Sequence, residues 1–182
     1  MAIKTFTTGE VLTAADTNTY LANSGLVYVK SQTVGTGVTS VVVTNAFSSD
    51  YENYLVTYSG ATNFLGEVLR IQLGATTTGY YGNMMYANYA SGAPASVGDS
   101  NTANWTHCSG GVNYFTNLQV TIMQPFASAT TSISSPYQDG SNAGQKTGWL
   151  NNSTSYTGFT LIVGNPYTIT GGTITVYGYR KA

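Results

Sequence analysis

Residues 170–182 read TGGTITVYGYRKA, and their alternation decides the class of fold. Ile174 and Val176 fall on one side of an extended chain, with Thr173, Thr175, Tyr177 and Tyr179 on the other, because successive strand residues point to opposite faces. Chain ends fray unless a sheet or a partner holds them, so a strand running this close to the terminus is expected to be structural. Arg180 and Lys181 behind it would keep an exposed edge from pairing with stray chains.

The same period-two pattern recurs upstream. LVYVKSQT (26–33) and VTSVVVTN (38–45) flank VGTG, a hairpin-like turn. NYLVTYSG (53–60) and EVLRIQLG (67–74) follow, the latter with Leu69, Ile71 and Leu73 on one face. GYYGNMMYANY (79–89) is a strand or a pair of short strands dense in tyrosine, and 90–104 reads as a loop. WTHCSG (105–110), NYFTNLQVTIMQP (113–125), TTSISSP (130–136), YTGFTLIVG (156–164) and the terminal strand complete the set. Leu118, Val120 and Ile122 are expected to face inward, with Gln119 and Thr121 outward. About nine strands separated by turn signals, with no crossover helices, indicate an all-β fold: an antiparallel β-sandwich or jelly-roll-like domain over 26–182.

Residues 1–25 differ. Thr13 is a candidate N-cap with Asp16 three residues later, and Val11, Ala14, Ala15, Asn18, Leu21 and Ala22 share one helical face before a stop at Asn23 and Gly25. A helix of about ten residues is marginal alone, so this segment is expected to pack on its own domain or on copies of itself. Those six residues are the candidate assembly face.

Charged residues make up only 7% of the 182, and the net charge is −1. The surface must therefore be built from hydroxyls, amides and phenols, and a chain so weakly charged is poorly protected against association unless a partner covers it. Six scattered basic residues give no field for phosphates or anionic lipid, which disfavours nucleic acid and membrane surfaces as partners. No apolar run is long enough to span a bilayer, and the start lacks the features of a signal peptide, so the sequons at 104–106 and 151–154 read as accidental. One cysteine precludes an internal disulfide framework.

Chemistry is sparse. His107 and Cys108 are adjacent, and neighbours in a strand point apart, so the thiol reads as inert core rather than as a nucleophile. Asp50 and Glu52 are the only close acid pair, in a context that reads as a turn leading into a strand. With one His and one Cys, no metal set is in view, and no phosphate or dinucleotide loop appears. We expect no catalytic residue, no metal and no cofactor. The unusual resource is aromatic: Tyr80, Tyr81, Tyr86, Tyr89 and Trp105 are candidates for saccharide or protein contact, against the alternative that they cover a sheet face or subunit contact.

Taken together, IKTFTTGEVLTAADTNTYLAN (3–23), YENYLVTYSGATNFLGEVLRIQLGATTTGYYG (51–82) and GGTITVYGYRKA (171–182) resemble small structural proteins of tailed bacteriophages, cyanophages included. The resemblance implies a virion surface component made in the host cytoplasm: a homotrimeric tail or head fibre or spike. Its partners would be itself and other tail, baseplate or capsid proteins, with host-surface polysaccharide as a further ligand. A capsid decoration protein is the alternative, and a small polysaccharide depolymerase or a carbohydrate-binding module stand further off.

Overall fold

The structure is a computed structural model, which describes residues 7–16, 25–63 and 67–180, apart from the Arg180 side chain. In the N-terminal segment the described helix α1 (Ala14–Asp16) is a single turn. The Thr13 backbone N–H and hydroxyl donate to Asp16 Oδ2 at 3.2 and 2.6 Å, and Asp16 N–H donates to Thr13 Oγ1 at 3.1 Å, a capping box closed by aspartate. The expected continuation through Asn18, Leu21 and Ala22 lies outside the described residues.

Among the described residues thirteen strands follow: β1 (Leu26–Thr33), β2 (Ser40–Val43), β3 (Tyr51–Thr62), β4 (Val68–Leu73), β5 (Tyr80–Asn88), β6 (Pro94–Thr102), β7 (Trp105–Val112), β8 (Phe115–Met123), β9 (Ser132–Gln138), β10 (Asn142–Leu150), β11 (Phe159–Val163), β12 (Ile169–Thr170) and β13 (Thr173–Arg180). Every pairing between them is antiparallel. The larger sheet runs β1-β13-β3-β8-β9-β10-β5-β6, with β12 beside the end of β3. The smaller runs β2-β11-β4-β7. Strand β7 belongs to both, since Gly111 and Val112 pair with Thr116 and Phe115 of β8.

One core fills the sandwich. Leu69, Ile71 and Leu73 of β4 with Phe159, Leu161 and Val163 of β11 meet Tyr54, Val56 and Tyr58 of β3, Leu118, Val120 and Ile122 of β8, and Ile174 and Val176 of β13. Burying each such aliphatic side chain contributes about 1.5–3 kcal/mol, enough in sum to order the sheets. Buried tyrosines tie loops to this core. Tyr54 donates to Ser48 O at 2.9 Å and accepts from Ser48 N–H at 2.7 Å, while Tyr58 donates to Gly171 O at 3.1 Å.

Four expectations are corrected. Strands β1 and β2 do not form a hairpin: β1 pairs with β13 and β2 with β11, because their apolar faces serve different sheets. The terminal strand is no edge, being bracketed by β1 and β3, so Arg180 guards no free ladder there. Residues 94–102, read as loop, form edge strand β6 on β5, with Pro94 at its start, where a missing N–H is tolerated. NAGQKTGWL (142–150), which no expected strand covers, is β10 between β9 and β5.

Candidate functional site

The outward face of the larger sheet follows from the register. Tyr28 and Ser31 lie opposite Tyr177 and Thr175, which lie beside Leu55 and Thr57, then Thr121 and Gln119. Across β9 and β10 the row continues through Ser134 and Thr147 to Asn83 and Gly98. In the eight strands every outward position among the described side chains is uncharged. Among the described side chains, the charges of the sandwich that are not buried, Lys30, Asp50, Glu52, Glu67 and Arg70, all lie off this face.

Two features break its flatness. Where β8 parts from β9, a groove of about 380 Å³ opens, lined by Thr57, Ser59, Asn117, Gln119, Pro136 and Gln138. Backbone carbonyls freed at this fork are met by hydroxyls: Ser109 donates to Asn117 O, and Ser135 Oγ lies 2.9 Å from Gln119 O and 2.6 Å from Cys108 O. On β10 and β5, Trp149 and Tyr81 are direct cross-strand partners whose rings stack at 5.1 Å and 17°. Trp149 is 43% exposed, and Met85, further along β5 opposite Gln145, is 70% exposed.

The five aromatic candidates do not share a surface. Tyr80 and Trp105 are fully buried and packed edge-to-face at 4.9 Å, so as ligand contacts they are corrected to core residues. Tyr80 Oη accepts from Leu73 N–H at 2.7 Å, and Trp105 Nε1–H donates to Tyr81 O at 3.2 Å. Trp105 finds room because Gly148 lies beneath it; a Cβ there would stand 2.8 Å from the indole. Tyr86 packs half-buried against Val68, Met84 and Tyr137, Tyr81 faces outward, and Tyr89 is exposed beyond the end of β5. Among the candidate assembly residues, Val11, Ala14 and Ala15 are exposed, and the described turn of α1 buries none of its side chains.

Inside the β5–β6–β10 wing, under β7, lies a polar cluster that sequence reasoning missed. Lys146 Nζ of β10 and Asp99 Oδ2 of β6 are 2.7 Å apart with side chains 0% and 1% exposed. Thr106 donates to the same carboxylate twice, Oγ1–H to Oδ1 at 2.5 Å and backbone N–H to Oδ2 at 3.1 Å. Because that hydroxyl proton is committed to Asp99, the 2.8 Å contact with His107 Nδ1 requires His107 to donate. Burial first, and the charge of Lys146 next, hold the His107 imidazole below its ordinary range. Alternation of Lys146, Gly148 and Leu150 with Thr147 and Trp149 was the available signal for β10, hidden by its two glycines.

The other candidates for chemistry stand apart. Cys108 is buried with its thiol pushed up to about 12 by desolvation. Asp50 and Glu52 are exposed, accepting from Ser48 Oγ and Gln124 Nε2. Among the described residues no three of His, Cys, Asp and Glu gather as metal ligands, and no helix is long and apolar enough to cross a membrane. A second cleft of about 530 Å³, on the smaller sheet, is lined by Val42, Thr76, Tyr156 and neighbouring backbone. Comparison of the chain with protein-family models, with curated proteins and with solved structures finds no match.

Proposed function

We propose that the chain is a self-assembling structural subunit of a virion surface, a homotrimeric fibre or spike on tail or head, and not an enzyme. The observation that carries the reading is the outward face of the eight-stranded sheet, uncharged at every position whose side chain is described. At about 4.8 Å between strands and about 7 Å between outward residues, that face spans roughly 35 by 25 Å. Its area is comparable with the roughly 800 Å² that each partner gives to a stable interface. A neutral face carries no like-charge repulsion against its own copy, and its tyrosines are of a residue type enriched in protein–protein contacts. The exposed Val11, Ala14 and Ala15 supply a second surface for assembly or attachment. The likeness to tailed-phage structural proteins supplies the biological setting.

The test is absolute mass in solution by light scattering behind a sizing column. The full chain should have the mass of a trimer at tens of micromolar, and Thr57→Lys, which plants a charge mid-face, should be a folded monomer. A wild-type monomer at that concentration would sink the proposal.

A further inference from the structure

We propose that Lys146 and Asp99 are the two halves of an intramolecular isopeptide cross-link, closed after the sandwich has folded. The reacting groups are held together by three strands. Lys146 on β10 reaches across β5 to β6, passing over Gly82, where a Cβ would stand 3.1 Å from Nζ. Both side chains are sealed from solvent, so the amine meets one carboxyl at fixed range, the condition under which effective molarities become large.

The step balances without a co-reactant. A proton passes from Nζ to Oδ2 along their 2.7 Å hydrogen bond, leaving a neutral amine beside a neutral acid. Nζ attacks Asp99 Cγ, and charge develops on Oδ1, toward which the Thr106 hydroxyl already points at 2.5 Å. Oδ2 takes a second proton from Nζ and departs as water; one C–N bond has formed and one C–O bond has broken. His107 Nδ1–H, donating to Thr106 Oγ1, keeps that hydroxyl's own proton aimed at Oδ1. The reaction replaces a buried ion pair, which is costly to desolvate, by a neutral amide.

Intact mass spectrometry of the purified full chain decides the matter. We expect the wild type one water lighter than its sequence, with a branched peptide joining the Lys146 and Asp99 segments after proteolysis. Lys146→Arg should return the full sequence mass, and Asp99→Asn should reach the same amide by losing ammonia instead. Thr106→Val should close roughly 100-fold more slowly after refolding, as when one oxyanion donor is lost. A wild-type chain at its full sequence mass overturns the proposal, as does a lost water that maps to a linear succinimide at Asp99.

Discussion

His107 holds a left-handed backbone (φ 55°) within β7, a conformation that asparagine and histidine tolerate better than most residues. Its folded-state pKa is lowered, so above about 6.5 the ring is neutral both folded and unfolded and contributes nothing to pH dependence. Below that, the unfolded chain binds a proton that the folded ring refuses, and stability falls by at most about 1.4 kcal/mol per pH unit. His107→Asn should therefore flatten denaturant-unfolding free energies between pH 6.5 and 5, taking about the unperturbed histidine value as the upper bound. A slope unchanged by the substitution would place the titration elsewhere. Asp139 acts lower in pH. Burial would raise its carboxyl, but donors from Ser141, Asn142 and Tyr137 outweigh that and lower it. Its contribution is present above the ordinary carboxylate value and is lost as pH falls through the lowered one.

Among the elements, β13 has the most to lose. It is flanked by β1 and β3 and sends Ile174 and Val176 into the core, so removing residues 171–182 leaves β1 without its partner strand and bares the ladder of β3. That deletion should give insoluble protein; a soluble oligomer of native size would show that β1 can close on β3 directly. The same strand shows what the sequence made legible. β4, β8 and β13 each alternate aliphatic with polar residues, and the buried faces predicted from that alternation are the ones observed. β6 and β10 escaped because their inward positions carry no aliphatic rhythm. In β6 the buried inward position is Asp99, and in β10 Gly144, Lys146 and Gly148 stand on the inward side. A lysine and an aspartate read as solvated until each is known to have the other, so the buried pair and the strands that bear it were hidden together. Tyr80 and Trp105 failed as surface candidates for the converse reason: nothing local separates a ring that caps a core from one that faces water.

For the whole molecule, the scarcity of charge has a measurable consequence. Contacts made by the neutral outer face are not screened by salt, whereas contacts between charged groups weaken as the Debye length falls from about 10 Å at 0.1 M to about 3 Å at 1 M. The assembled mass should be unchanged across that range. Dissociation with rising salt would move the contact to Lys30, Asp50, Glu52, Glu67 or Arg70. The register also brings the two ends of the sandwich together: Leu26, where β1 begins, sits opposite Tyr179, next to the end of β13. Anything joined before β1 and anything joined after β13 leaves from one corner. A pull between those points opens the β1–β13 ladder one rung at a time, like a zip, instead of loading all its rungs at once in shear. The domain is thus mechanically soft along its own termini, and it bears tension well only when held by one end and gripped elsewhere on its body.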